Sequence, residues 1–327
     1  MSPSVKGFRF AGIHCGIKAA GQADLGLIAA DEPAAAAGVF TKNLVRAAPV
    51  VLSERRLRKG LCQAVLVNSG NANACTGEQG RRAALSATSA VSKELGVAKS
   101  MVLPASTGVI GVQLPDGRIE QAGPELVEAL SPRAAPDFAE AILTTDRGPK
   151  LASVQFAAGR TKCRVLGIAK GAGMIHPNMA TTLAFVTTDA RIQPAVLRRL
   201  LTRATQQTFN RASVDGDTST NDSIYLLASG QASSRSIESK GRAAERFEGA
   251  LTEVLEALVK MIVADGEGAQ HLVRVQVGGA RTDADAVQIA RTIATSQLVK
   301  TAIHGCDPNW GRILAAAGRS GVRLRPK

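Results

Sequence analysis

The chain alternates short apolar runs with longer segments whose apolar residues recur at helical spacing. This alternation is typical of layered α/β structures, in which helices pack on the faces of a sheet. Helices are predicted at about 194–209 and at 242–263, where the pattern is clearest. The runs predicted to be strands are 62–67, 151–156, 163–169, 183–186, 224–228 and 272–277.

At 327 residues the chain is long enough to bury a large core in two domains or subdomains. Hydrophobic residues make up 45% of it, but no run approaches the ~18 apolar residues of a membrane-spanning helix. Residues 1–10 lack the basic flank and apolar centre of a secretory signal. We therefore expect a cytoplasmic protein with no membrane partner.

The formal net charge is +13, which raises the question of nucleic-acid binding. The basic residues are dispersed, however, and their densest groups are 55–59 and the trio Arg198, Arg199 and Arg203. Aromatic residues are only 3% of the chain, which leaves little for base stacking. A solvated basic surface that weakly attracts anionic substrates is the better interpretation, and no nucleic-acid partner is expected.

The cysteines and histidines predict no metal site or disulfide framework, because they are scattered and form no CxxC pair. They are Cys15, Cys62, Cys75, Cys163, Cys306, His14, His176, His271 and His304. Most of the cysteines are expected to be small buried hydrophobic residues.

Two motifs resemble ligand loops without completing them. Residues 215–219 begin like a calcium loop, but Thr220 stands where the loop needs glycine and Leu226 where it needs a bidentate glutamate. Residues 171–173 begin like a dinucleotide loop, but the third glycine position holds His176 and an apolar strand follows. No calcium or nucleotide site is expected.

A small residue, Ala180, directly precedes a hydroxyl residue, Thr181, in the segment 170–185. If the chain breaks there, Thr181 gains an α-amino group with an ordinary pKa of about 7.7 to 8.0. That amine can take the proton from its own hydroxyl, so that nucleophile and base share one residue. Most Ala-Thr pairs are inert, and the segment alone also fits a glycine-bearing turn that enters a buried strand.

The segment resembles the self-cleavage site of the ornithine acetyltransferase family, the bifunctional glutamate N-acetyltransferases of arginine biosynthesis. The resemblance extends along the whole chain in family order. Its other segments are 38–43, 47–50, 68–74, 105–111, 144–146, 215–222, 264–269 and 307–312. It implies a layered αββα-type sandwich like that of the N-terminal-nucleophile aminopeptidases. It also implies an α chain, residues 1–180, and a β chain, residues 181–327.

By the same resemblance, Thr107 and Gly108 match the oxyanion pair, which stabilises the anion formed when a nucleophile attacks a carbonyl. Thr144, Lys170 and Glu267 match positions that contact substrate. Lys170 suits an α-carboxylate or developing negative charge, and Thr144 offers a hydroxyl hydrogen bond. Glu267 suits either the substrate ammonium or the new amine of Thr181. These alternatives stay open.

The resemblance implies that an acetyl group moves from N-acetylornithine to glutamate through an acetyl-Thr181 intermediate, with ping-pong kinetics. The implied reaction requires no metal or organic cofactor. Acetyl-coenzyme A remains an open second donor. The resemblance also implies an α2β2 assembly. Two alternatives remain, namely an N-terminal-nucleophile amidohydrolase of the aminopeptidase type and an inactive protein that only binds.

The chain also departs from the family pattern. Family members continue well beyond the segment 307–312 into a segment with further polar substrate contacts, which we expect to be missing here because the sequence ends at 327. Smaller departures are 147–148, His176 and Thr182. Since His176 lies close to Thr181 in sequence, it is a minor candidate for tuning the site, and Thr182 provides a second hydroxyl beside the nucleophile.

Overall fold

The structure, a computed structural model, describes residues 4–19, 21–176, 182–232 and 235–324. Over these ranges the strands are β1 (Phe8–Ile13), β2 (Leu25–Phe40), β3 (Leu61–Asn71), β4 (Val102–Val109), β5 (Lys150–Ala158), β6 (Thr161–Lys170), β7 (Leu183–Thr188) and β8 (Ser223–Ala228). The helices are α1 (Ala48–Arg56), α2 (Gly77–Leu95), α3 (Asp116–Glu128), α4 (Ala135–Ala141), α5 (Pro194–Gln207), α6 (Arg242–Ala264), α7 (Asp283–Ala294), α8 (Gln297–His304) and α9 (Trp310–Gly318).

The strands form a mixed sheet in the order β4-β3-β2-β8-β7-β6-β5, with β1 paired to β2. The pairs β3–β4 and β7–β8 are parallel, and the other pairs are antiparallel. β2 is 16 residues long and its register with β3 shifts between Ala29 and Ala34. Its first part pairs with β1 and β3 and its last part with β8, so it joins the two halves of the sheet.

These two halves pack face to face around a central apolar cluster. Phe10 and Val65 from the β1–β4 half share this cluster with Ile168, Phe185 and Tyr225 from the β5–β8 half. On the outer faces, α2 and α3 pack on the first half, while α5 and α6 pack on the second. The order of layers is therefore helix, sheet, sheet, helix, which confirms the predicted αββα sandwich.

Most strands are buried on both faces, which explains their continuous apolar runs. In β7, Leu183 and Phe185 face the central cluster, while Ala184 and Val186 face the helices α5 and α6. The ring of Phe185 also stacks on Tyr225 with centroids 5.5 Å apart. The strand that follows the predicted chain break is therefore buried on both sides.

Five of the six predicted strands are confirmed and lie in β3, β5, β6, β7 and β8, and both predicted helices are confirmed as α5 and α6. The prediction of a strand at 272–277 is wrong, because this segment carries no strand in the structure. Leu272 and Val273 are exposed there, and only Val275 and Val277 pack against a small cluster formed by α7, α8 and α9. The sequence patterns missed β1, β2 and β4.

Among the described residues, no helix combines the length and apolar character needed to cross a bilayer.

Candidate active site

A cleft with a volume of about 690 Å³ lies where β3, β4 and β6 end and β7 begins. The five described residues of the predicted site, namely Thr107, Gly108, Thr144, Lys170 and Glu267, all line this cleft. They come from segments far apart in sequence. The fold thus brings these five residues together in one cavity.

The predicted nucleophile Thr181 and its neighbour Ala180 lie outside the described residues. Thr182, the next residue, is buried and lines the cleft. Its hydroxyl donates a hydrogen bond to the carbonyl of Lys170, and its own carbonyl accepts one from the Ser223 backbone N–H at 3.0 Å. The chain that follows Thr181 is therefore fixed between β6 and β8 at the cleft.

Thr107 and Gly108 stand near the end of β4, beside the end of β3. Gly108 has a φ of +134°, and a Cβ added there would lie 2.3 Å from the backbone carbon of Gly70. Only glycine allows β4 to approach β3 so closely in this conformation. The backbone of the predicted oxyanion pair is therefore open to the cleft on one side and supported by β3 on the other.

Hydrogen bonds of buried amide side chains stabilise this part of the cleft. Asn221 donates hydrogen bonds to the carbonyls of Ala72 at 2.6 Å and Ser106 at 2.8 Å. The Ser106 hydroxyl donates to Asn68 Oδ1 at 2.6 Å, and Asn68 donates to the carbonyl of Asn71 at 2.8 Å. These bonds tie the ends of β3 and β4 to the start of β8, so the segment 68–74 holds the cleft in shape.

Lys170 enters the cleft at the end of β6 and is nearly buried. Its Nζ donates to Thr144 Oγ1 at 2.6 Å and lies 3.7 Å from Asp146 Oδ2. Burial lowers the pKa of Lys170 and Asp146 opposes that shift, while the second ammonium at Lys150 lowers the pKa further. Two of the predicted substrate-binding residues, Thr144 and Lys170, are thus joined directly.

Asp146 holds this group of side chains together. Its carboxylate is fully buried and accepts hydrogen bonds from Lys150 Nζ at 2.7 Å, the Gly171 backbone N–H at 2.6 Å and the Thr144 backbone N–H at 3.1 Å. Burial alone would raise the pKa of Asp146, but Lys170, Lys150 and the Gly171 N–H outweigh it and lower the pKa to about 2.

The second carboxylate partner of Lys150 is Asp265, which follows α6. Lys150 Nζ donates to Asp265 Oδ2 at 2.6 Å, and the Arg147 backbone N–H donates to the same oxygen at 3.0 Å. Close by, the Thr145 hydroxyl donates to Glu267 Oε1 at 2.7 Å, while the Glu267 backbone N–H bonds to the carbonyl of Ala172. The carboxylate of Glu267 is thus oriented by residues on the other side of the predicted chain break.

A family model, described as the ArgJ family, matches residues 9–327. The chain belongs to the ArgJ family. The arginine biosynthesis bifunctional protein ArgJ of Thermosynechococcus vestitus is 52% identical over 320 residues, which cover 98% of this chain and 76% of that protein.

Two solved structures extend the comparison. The crystal structure of the arginine biosynthesis bifunctional protein argJ from Bacillus halodurans is 40% identical, with a TM-score of 0.51 over 54% of this chain and 94% of that chain. The L-aminopeptidase D-Ala-esterase/amidase of Ochrobactrum anthropi, described as a variant of the Ntn hydrolase fold, is 11% identical with a TM-score of 0.51 over 88% of this chain and 92% of that chain. The second likeness concerns the fold of this ArgJ-family chain and not its activity.

In this member of the ArgJ family, the structure also places around the cleft residues that are not part of the predicted site. Asp146 and Asp265 lie in the matching segments 144–146 and 264–269, so the motifs carried a signal for them. Lys150 and Lys18, the second of which also lines the cleft, lie in no such segment. Their positions follow only from the fold.

The minor candidate His176 is not among the cleft-lining residues of the described chain. Its Nδ1 lies 3.2 Å from Ser213 Oγ, and burial lowers its pKa, with Arg291 lowering it further. Asp215, from the incomplete calcium motif, accepts hydrogen bonds from the backbone of Ile175 and Asp217 at 3.0 Å each. Within the described ranges, no cluster of three or more His, Cys, Asp or Glu side chains is placed to hold a metal ion.

Proposed function

We propose that this protein is a self-cleaving acetyltransferase of arginine biosynthesis, which moves the acetyl group of N-acetylornithine to glutamate. The observation that carries the proposal is the convergence of Thr107, Gly108, Thr144, Lys170 and Glu267 in one cleft, beside the residue that follows Thr181. Membership of the ArgJ family supports the same reaction. We further propose a cytoplasmic α2β2 assembly.

The first reaction of Thr181 is the cleavage of its own chain. Its hydroxyl attacks the carbonyl of Ala180, and the amide bond to the Thr181 nitrogen breaks as an ester forms. Water then hydrolyses this ester, which leaves a carboxylate on Ala180 and a free α-amine on Thr181. Residues 1–180 and 181–327 become two chains.

In turnover, the Thr181 amine accepts the proton of the Thr181 hydroxyl, and the oxygen attacks the acetyl carbonyl of N-acetylornithine. Thr107 and Gly108 stabilise the resulting oxyanion. The amide C–N bond then breaks, the proton passes to the leaving nitrogen, and ornithine departs. Glutamate next attacks the acetyl ester through its amine, which regenerates the hydroxyl and releases N-acetylglutamate.

The described contacts support particular roles for the remaining residues. The ammonium of Lys170, held by Thr144 and Asp146, suits the α-carboxylate that donor and acceptor share. The hydrogen bond from Thr145 fixes one oxygen of Glu267, and the other oxygen is suited to an ammonium, either of the substrate or of Thr181. The reaction as proposed requires no metal or organic cofactor, and acetyl-coenzyme A remains an alternative donor.

Intact mass spectrometry with a product assay tests this proposal. We expect two polypeptides divided between Ala180 and Thr181, and N-acetylglutamate as the product of acetylornithine and glutamate. Thr181→Ala should abolish both cleavage and transfer. Thr182→Ser, which keeps a hydroxyl on the neighbouring residue, is the matched control and should retain both.

The two alternative functions give different results in the same experiment. An amidohydrolase would release acetate instead of N-acetylglutamate, and an inactive binding protein would remain a single polypeptide. A Thr181→Ala protein that still consumed acetylornithine would contradict the proposed nucleophile.

A further inference from the structure

One wall of the cleft is formed by the loop between β1 and β2, which the sequence motifs leave without a role. Ile17, Lys18, Ala19 and Gln22 of this loop line the cavity. The buried carboxylate of Asp24 anchors the loop, since it accepts the backbone N–H of Cys15 at 2.6 Å and of Lys18 at 2.8 Å. The position of Lys18 is therefore determined by the fold before any ligand binds.

The side chain of Lys18 is packed as well as anchored. Its Cγ would lie 3.0 Å from a Cβ at Gly70, so the glycine at the end of β3 provides the space for it. Its Nζ donates a hydrogen bond to the carbonyl of Ala23 at 2.9 Å. An ammonium carries three N–H groups, and this bond uses one of them.

Lys18 is the second ammonium group in the cleft, since Lys170 also lines it. Burial lowers the pKa of Lys18, Asp24 opposes that shift, and Lys170 lowers the pKa further. Lys18 is half-buried and Lys170 is nearly buried, and like charges in one cleft are unfavourable unless anions neutralise them. A ligand with two carboxylates can pair with both ammonium groups, whereas a ligand with one carboxylate can pair with only one of them.

We propose that Lys18 binds the side-chain carboxylate of the acceptor glutamate and thereby selects it, an inference that rests on the proposed function. Lys170 would hold the α-carboxylate, which glutamate and N-acetylornithine have in common. The side chain of N-acetylornithine ends in an ammonium, which the cleft-lining carboxylates of Asp222 and Glu267 suit better than Lys18 does. Lys18 therefore acts in the second half of the reaction and contributes little to the first.

The test compares glutamate with glutamine as acceptor, because glutamine has nearly the same shape without the side-chain charge. Lys18→Met removes the ammonium, Lys18→Arg keeps a cation, and Lys162→Met removes an exposed lysine of β6 as a matched control. We expect Lys18→Met to reduce the ratio of kcat/KM for glutamate over glutamine by about tenfold or more. Lys18→Arg should retain most of the preference, and Lys162→Met all of it.

The donor half-reaction separates this inference from the proposed function. Ornithine release and acetylation of the β chain, followed by mass, should change by less than about threefold in Lys18→Met. Normal acetylation with an unchanged acceptor ratio would overturn the role of Lys18 and leave the proposed function intact. If the unaltered protein is never acetylated, the proposed function is overturned and the role of Lys18 with it. Should Lys18→Met fail to accumulate, Lys18→Gln provides the same comparison.

Discussion

At the scale of single residues, the cleft depends on a few buried charges that neutralise one another. Asp146 lies between two ammonium groups, at 2.7 Å from Lys150 Nζ and 3.7 Å from Lys170 Nζ. A buried charge without a partner is strongly destabilising, so each member of this group requires the others. The group also holds Lys170, which lines the cleft, in place.

Asp146→Asn should therefore destabilise the protein at neutral pH, since it keeps the shape and removes the charge. The pKa of Asp146 is lowered from 3.8 to about 2, which corresponds to about 2 kcal/mol at ~1.4 kcal/mol per unit. Because the folded pKa lies below the unfolded pKa, this stabilisation is present above 3.8 and is lost as the pH falls towards about 2.

Urea unfolding of the two proteins over this pH range checks the prediction. The difference in the free energy of unfolding should be largest near neutral pH and should shrink on acidification. The exposed Glu253→Gln on α6 serves as the control and should show little difference at any pH. A difference that does not depend on pH would mean that Asp146 acts through packing and not through its charge.

Gly108→Ala tests the close approach of β4 to β3. Its Cβ would meet the Gly70 and Asn71 backbone at 2.3 and 2.5 Å, in a conformation that side chains other than glycine rarely adopt. We expect a loss of about 2 kcal/mol or more in stability and much slower chain cleavage, because Thr107 and residue 108 would move. Thermal unfolding and intact mass measure the two effects.

Gly117→Ala is the control for this substitution, since its added Cβ meets nothing within 4 Å and Gly117 lies in α3. Alanine is the better helix former, so stability should be equal or slightly higher. If Gly108→Ala behaved like Gly117→Ala, the glycine at 108 would not be a requirement of the cleft.

At the scale of whole elements, α6 packs directly on β6 because one position of that strand has no side chain. A Cβ at Gly167 would lie 2.5 Å from Val254 Cγ1 and 2.8 Å from Leu258 Cδ1 of the helix. Overpacking of this kind typically costs about 1 to 3 kcal/mol, so Gly167→Ala should destabilise the protein by that amount. Gly249→Ala in α6 meets nothing within 4 Å and should stabilise it by up to about 1 kcal/mol.

We expect these two glycine-to-alanine substitutions to change the free energy of unfolding in opposite directions, as measured by urea unfolding. If Gly167→Ala left the free energy of unfolding unchanged, α6 would be able to shift away from the sheet without a loss of stability.

The sequence predicted elements well where burial on both faces leaves a continuous apolar run, as in β6, β7 and β8. It failed for β2, where 34–37 is a run of alanines and alanine has little preference for strands. In the structure Ala34 and Ala36 lie in the central cluster between the two halves of the sheet, while Ala35 and Ala37 pack on the side of α5 and α6. The opposite error, at 272–277, shows that an alternating pattern makes a strand only where a neighbouring strand supplies hydrogen bonds.

At the scale of the whole molecule, the fold brings together residues that no local pattern could connect. The family resemblance predicted Thr107, Gly108, Thr144, Lys170 and Glu267 as site residues, and all five line one cleft. The resemblance did not identify the bond between Lys150 and Asp265, which are 115 residues apart in sequence. Charge pairs between distant segments depend on how the layers stack, and sequence spacing carries no information about that.

The stacking of the layers also predicts how the protein behaves after cleavage. β7 and β8, which follow Thr181, lie between β6 and β2, which precede it. One face of β7 and β8 shares the central cluster with side chains from residues 1–180. The two chains would therefore share one core, and the contact between them is mainly apolar and buried.

We expect the chains 1–180 and 181–327 to remain together on native size exclusion, even in about 1 M salt, because salt screens exposed charges and leaves buried apolar contacts intact. Denaturing electrophoresis of the same fractions should show two polypeptides. The uncleaved Thr181→Ala protein is the control, and it should elute at the same native volume as a single polypeptide. Separation of the two chains in salt without denaturant would show that ion pairs, such as the one between Lys150 and Asp265, hold the halves together instead of the shared core.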